Sequence, residues 1–500
     1  MKTIQKSIIA FLLVFIAFGC SEDFIDVNPK GTFLEDNYYR NEEQAFAGLI
    51  SVYDVMRKQS GGFENMVAML NAGSDDFYAG GGGATDGTGI QSFSNYTMTS
   101  ATIPASFWND FYQGIFRANT LLIKLPGVPM DENTKKRFAA EAKALRAHYY
   151  FELLRTFRNI PLITAPVPTS EIYNVPQADP ADVYAQIETD LMEALVDLPP
   201  MITSAELGRL SRGAAQALLG KVYLYQGKNS LAATEFAEVN GTPGGTSQYG
   251  YKLLDSYASL WSIDNKFNTE SIMEVSHTAK SNTGWGNWGS GSDEGNSLNT
   301  MLGPRGYVRT GGSTAPDYAT GWSFNTVTEN LYDVLKADPR FDATIADVKA
   351  LVEAGQATYT PGYMDTGYFL KKFMPLTTDV TPGGELVLNY RQNSYIIRLA
   401  DSYLMEAEAL GGSGIRAQQL LDAVRARVGL ASIPVSMEAI MNERRLELAG
   451  EGHRWFDLVR TGRASQVLST RGFVAGKNEI WPIPFRELEN TLIEQNPLYN

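Results

Sequence analysis

The stretch SRGAAQALLGKVYLYQGKNSLAATEFAEV, residues 211–239, decides the fold. Leu219-Gly220 is followed by Tyr223, and Ala232 by Phe236, spacings that put each set on one helical face. A glycine at 220 lets a partner helix come close. Tyr223 then fills the groove, and Ala232 and Phe236 pack back from the second helix. The stretch therefore reads as a pair of packed helices.

The order leucine, glycine, tyrosine, alanine, phenylalanine matches the tetratricopeptide pattern, with Gln216 where that pattern has tryptophan. Such pairs stack because none buries its apolar face alone. Outward from here, helical spacing recurs at 41–58, 107–125, 131–158 and 180–198. Asp179-Pro180 opens the last of these, with Pro in the first turn, and Pro199-Pro200 closes it. A second, more degenerate pair is read at 395–410 and 415–428, joined by Gly411-Gly412-Ser413-Gly414.

A different texture interrupts the helices. Residues 73–102 carry Gly80-Gly81-Gly82-Gly83 among Ser, Thr and Asn, residues 241–250 are similar, and 282–324 form the longest such tract. Long loops within a domain are usually functional or disordered. Trp285, Trp288, Tyr307, Tyr318 and Trp322 lie in the last one, and disordered tracts avoid aromatics, so an ordered surface is expected.

The chain has 500 residues and a net charge of -14, which argues against nucleic acid, since phosphate binding needs a basic surface. Its one cysteine, Cys20, allows no internal disulfide. Lys2 and Lys6 precede an apolar run at 8–18, too short for a permanent span, and Gly19 stands before the cysteine. This is the layout of a bacterial lipoprotein signal cleaved ahead of Cys20, whose acyl chains would anchor the protein. The expected division is a signal peptide at 1–19, a lipid-anchored tether at 20–35, helical regions at 36–240 and 391–500, and a loop-rich ligand-face region at 241–390.

The tail reads NERRLELAGEGHRWFDLVRTG at 442–462, then IWPIP at 480–484 and QNP at 495–497. Earlier blocks are EAKALRAHYY at 141–150, IPL at 160–162 and RLADSYLMEAE at 398–408. In this order, and over nearly the whole chain, these blocks closely resemble the RagB/SusD family of outer-membrane lipoproteins. The resemblance implies a mostly α fold with four tetratricopeptide-like pairs, a loop-built ligand face and minor β structure. It further implies a surface-exposed outer-membrane receptor that captures glycans, or in some cases peptides, for a TonB-dependent, SusC-like barrel, and no enzymatic activity. Read from the residues alone, Glu443, Arg444, Arg445, Glu447, Glu451, Arg454, Asp457 and Arg460 alternate in sign and point to a structural ion-pair lattice rather than an acid–base site.

Motifs for other chemistry are weak. Gly284-Trp-Gly286-Asn-Trp-Gly289 has the glycine spacing of a dinucleotide loop, but no strand–helix unit surrounds it. No phosphate-loop or nucleophile-elbow motif occurs. His148, His277 and His453 lack ligand spacing, so neither a metal nor another cofactor is expected. Asp75-Asp76 and Asp293-Glu294 are carboxylate pairs beside aromatic loops, the basis of a glycoside hydrolase alternative. The binding reading has the clearer basis. A flat aromatic ring covers the C–H face of a sugar, and Asn, Asp and Arg take its hydroxyls. The expected ligand contacts are Trp285, Asn287, Trp288, Arg305, Tyr307 and Trp322 on the long loop. Asp75, Tyr78, Phe93 and Tyr96 come from the earlier one, with Phe77 beside them as a possible opposing wall.

Overall fold

The computed structural model describes residues 38–280, 284–381 and 383–500. The expected signal, Cys20 and the tether lie outside the described residues. Helices make up about 49% of the structure, and among the described residues the strands are few and short.

Among the described residues, nine helices of eleven or more residues form the scaffold. They are α1 (Glu42–Tyr53), α2 (Ser106–Lys124), α3 (Glu132–Phe157), α4 (Pro180–Asp197), α5 (Arg212–Tyr225), α6 (Asn229–Asn240), α7 (Leu399–Ala409), α8 (Gly414–Arg427) and α9 (Met437–Glu447). Local chemistry sets several starts. Asn41, Asp131, Asp179 and Ser211 each accept a backbone N–H of the first turn with their side chains. Packing then couples α1 with α2, α3 with α4, α5 with α6 and α7 with α8, and each pair abuts the next. The expected four pairs are therefore present, although α6 meets α7 across a long insertion.

Close approach within these pairs depends on glycine. A Cβ at Gly220 would lie 3.0 Å from the Phe236 ring, so the α5–α6 contact follows the sequence reading. At Gly114 on α2 a Cβ would come 2.6 Å from the Tyr149 ring of α3.

Among the described residues, three antiparallel two-stranded ribbons accompany the helices. β1 (Ser271–Val275) pairs with β6 (Ser394–Arg398), β2 (Val308–Arg309) with β4 (Ala357–Thr358), and β3 (Ile345–Asp347) with β5 (Tyr368–Leu370). The helix expected over 395–410 thus begins only at Leu399. The run Ser394-Tyr-Ile-Ile-Arg398 is buried throughout and β-branched at its centre, and it pairs with β1 instead. The glycine-rich tracts are more ordered than their composition suggests, since they include helices at Thr88–Ser94 and Ser297–Leu302.

The tail forms the expected ion-pair lattice. Arg398, fully buried at the end of β6, bonds Glu270 at 2.9 Å, Glu447 at 2.6 Å and Glu451 at 2.8 Å. Glu447 also meets Arg340 at 2.8 Å and pairs with Arg427. Arg444 joins Asp401 on α7 to Asp457, and Arg460 joins Asp457 to Glu408. Burial opposes ionisation of Glu447, but Arg427, Arg398 and Arg340 together hold its pKa far below the usual carboxylate range. The lattice ties the ribbon, the central insertion and the last helices into one register.

Candidate ligand-binding face

Three indoles from two segments of the central insertion form one cluster. Trp285 and Trp322 lie nearly parallel, 20° apart with centroids separated by 6.0 Å. Trp288 stands edge-on to both, 5.5 Å from each. Trp285 is 52% exposed, while Trp288 and Trp322 are half-buried. The cluster thus presents one exposed indole braced by two half-buried ones.

The backbone around the cluster explains its position. Gly62 and Gly289, both at positive φ, cross so closely that a Cβ on Gly62 would lie 3.2 Å from the Gly289 Cα. The Arg57 guanidinium donates to the Gly289 carbonyl at 2.6 Å. Trp288 donates its indole N–H to Ser297 Oγ at 2.9 Å, and Asp293 accepts the Gly289 N–H at 2.8 Å. His277 holds the far end of the loop through Ser60 Oγ at 2.7 Å and the Glu294 carbonyl at 3.1 Å. Burial pushes its pKa down to about 4, so the ring is neutral at pH 7.

Beneath the indoles, Phe63 packs edge-on against Trp288 at 5.7 Å and Phe324 at 5.2 Å. Sequence reasoning missed Phe63. Its signal was present, because Gly61-Gly62-Phe63 is a ring beside glycines like Trp288. The Gly80–Gly83 tract docks on the segment after Trp322, with Gly81 N–H donating to Ser323 O at 2.7 Å. Arg305 reaches Asp86 at 3.1 Å there, and Asp86 also accepts the Gly82 N–H at 2.6 Å. Arg305 and Asp86 are about one-third exposed and form a polar margin, while Asn287 is exposed beside Trp285 and Trp288.

Other expected contacts lie elsewhere, and these are corrections. Phe93 is buried among Trp455, Trp481 and Tyr96, and Tyr96 donates its hydroxyl to the Gly73 carbonyl, so both rings are core. Phe77 is equally buried, so no opposing wall forms from these rings. Tyr307 sits in a second small core with Tyr318 and Phe369 and donates to the Pro316 carbonyl at 2.7 Å. Tyr78 is partly buried, bonded to Glu329 at 3.2 Å and covered by the Arg471 guanidinium.

The first carboxylate pair is occupied by arginines. Asp75 takes both Arg454 nitrogens at 2.8 Å, and Asp76 takes Arg445 at 2.6 Å. Burial raises both, but Arg454 keeps Asp75 below its ordinary value, whereas Asp76, beside Asp75, stays above. No group of acidic, histidine or cysteine side chains among the described residues is arranged to hold a metal. No described helix is long and apolar enough to cross a membrane.

A helical-pair scaffold that presents a braced aromatic surface on an inserted loop region is the architecture of a binding protein. The comparisons agree. The model of the SusD family matches residues 269–472, and one described as starch-binding, associating with the outer membrane, matches 63–224. A solved laminarin binding SusD-like protein is 66% identical, superposes with a TM-score of 0.91, and the match covers 92% of this chain and all of that one. Surface glycan-binding protein A from Bacteroides fluxus is 27% identical with a TM-score of 0.79, covering 91% of this chain and 99% of its own. SusD-like protein P25 of Formosa agariphila is 25% identical over 97% of both chains. The chain belongs to the SusD family.

Proposed function

We propose that the protein is a surface receptor that captures a laminarin-type oligosaccharide on the Trp285–Trp288–Trp322 platform. The observation that carries this reading is the angle within the platform. Two near-parallel indoles and one perpendicular to them offer ring faces and edges in two directions, which suits successive sugar rings along a chain. Asn287 and the Arg305–Asp86 pair stand at the margin to exchange hydrogen bonds with hydroxyls. The 66% identity to a laminarin-binding relative supports this choice of glycan.

The protein acts by binding, not hydrolysis. Asp75 and Asp76 are held in arginine pairs and Asp293 accepts the Gly289 N–H, so neither carboxylate pair beside the aromatic loops offers two free carboxyls to flank a glycosidic bond. Acyl chains on Cys20 hold it to the outer membrane, and it passes its ligand to a SusC-like, TonB-dependent barrel. The loop face at 241–390 is the ligand-handling region, and 36–240 with 391–500 are its support.

The deciding experiment is migration through polysaccharide gels. Laminarin should retard the wild-type protein, and Trp288→Ala should abolish the retardation without changing thermal unfolding. Retardation by no glycan, with a shift produced by peptide mixtures, would establish the peptide-receptor alternative. Release of reducing ends in the same incubations would establish a hydrolase. Cys20→Ala should move the protein from the membrane fraction to the soluble one.

A further inference from the structure

A cleft of about 420 Å³ opens beside Phe63, between the segment at 87–90 and the segment at 101–105 that leads into α2. That volume is within the range of small-molecule sites. Two features join the cleft to the indole platform. Phe63 lines it, and the same ring packs edge-on against Trp288 at 5.7 Å and tilted against Trp322 at 6.5 Å. The rim at Gly87, Thr88 and Gly89 runs on directly from Asp86, which pairs with Arg305 at the platform margin. Gly87 rests on the shared ring, since a Cβ there would come 2.9 Å from Phe63.

Among the described residues, Glu64 is the one charged side chain that lines the cleft. Its position is fixed from behind. Ser106 Oγ donates to Glu64 Oε2, Lys58 Nζ donates to Ser106 Oγ at 2.7 Å, and Lys58 also pairs with Asp110 at 3.2 Å. The other oxygen, Oε1, has no hydrogen bond among the described residues and is not shut off from solvent. Lys58 is 4% exposed and does not line the cleft, so it brings no cation to the opening. Thr88 is exposed and Thr102 half-buried at the rim.

We infer that the cleft extends the glycan site, and that a neutral glucan chain lying on the indoles passes over Phe63 and places a further sugar ring in it. This rests on the platform reading and adds to it a selection by charge, with Glu64 as the specificity-determining residue. A carboxylate oxygen accepts protons from hydroxyls, and every ring of a glucan supplies them. The same carboxylate repels a sulfate or a uronate, and nothing in the cleft offsets that repulsion. Phe63 supplies the apolar surface that the C–H groups of a sugar ring need.

The test is protection from thiol labelling in the full chain carrying Cys20→Ala, which removes the native cysteine. Thr88→Cys places a thiol at the exposed rim, and Ala84→Cys places one on the same segment outside the cleft. Saturating laminarihexaose should slow the reaction of Thr88→Cys with N-ethylmaleimide at least about fivefold, as occupancy of the site requires, and leave Ala84→Cys unchanged. In a second arm, Glu64→Gln should weaken laminarihexaose binding at least about threefold, the loss of a charged acceptor. It should also reduce the preference for laminarin over sulfated laminarin, which a merely structural change would not do. Laminarihexaose that alters the tryptophan fluorescence but does not protect Thr88→Cys overturns the extension and leaves the platform standing. An unchanged preference in Glu64→Gln overturns the charge selection. Laminarihexaose that alters neither the fluorescence nor the labelling overturns platform and extension together.

Discussion

The Trp285 and Trp322 rings lie 20° from parallel although they come from opposite ends of the 282–324 tract, and Trp288 braces both by its edge. The brace is itself fixed by Ser297, so the three rings do not carry equal weight. Trp288→Ala removes a wall of the platform and the support of the other two. It should weaken laminarin binding by at least about 2 kcal/mol, the range of a central aromatic hot spot. Ser297→Ala removes only the hydrogen bond to the indole and should cost about 1 kcal/mol of affinity. Calorimetry on the two variants checks the order. Equal losses would mean that the platform does not depend on how Trp288 is held.

Legibility in the sequence followed the range of the interactions. The α5–α6 contact was readable because Gly220 and Phe236 are close in sequence, and helix starts because Asn41, Asp131 and Ser211 act on their own first turns. Trp285 and Trp288 were readable as surface rings because glycines flank them. Phe93 was misplaced because what buries it, Trp455 and Trp481, arrives from the far end of the chain. Asp75 was misplaced for the same reason, since its partner is Arg454. Local composition marks a loop; it does not report which tail residue fills the space beneath it.

Gly220 offers a direct test of the scaffold. An added Cβ would sit 3.0–3.1 Å from three Phe236 ring atoms, and Phe236 is fully buried with no room to swing away. Gly220→Val should therefore destabilise the protein by about 1–3 kcal/mol through overpacking. Phe236→Leu alone also destabilises, by leaving a cavity. The double variant should be more stable than the sum of the two losses predicts, because each change relieves the other. Urea midpoints for the four proteins measure the coupling, and strict additivity would remove the proposed contact.

The lattice around Arg398 predicts a larger effect. Its guanidinium is fully buried and serves Glu270, Glu447 and Glu451 together. Arg398→Met keeps the volume but leaves three buried carboxylates short of a partner. Breaking a buried pair on one side costs about 3–5 kcal/mol. Replacing an exposed pair such as Arg391–Asp264 should change stability by at most about 1 kcal/mol. Chemical unfolding of Arg398→Met and Arg391→Met side by side gives the comparison, and similar midpoints would deny the lattice its structural role.

Acid should unfold the protein in two separable stages. His148 and His277 are buried and His453 is partly buried, and desolvation pushes each down to about 4, against about 6.5 in an unfolded chain. Between those values the unfolded chain binds protons that the folded one refuses. Stability from these groups is thus complete above pH about 6.5 and is lost as pH falls toward 4. The carboxylates act later. Burial opposes the Asp457 charge, but Arg444 and Arg460 hold its pKa down to about 2, so its contribution is present above its unfolded value near 4 and fades below it. His148→Gln should flatten the slope of unfolding free energy against pH between 6.5 and 4 by about one proton and leave the region below 4 unchanged. Urea titrations across both windows measure this, and an unaltered upper slope would show that His148 is protonated within the fold.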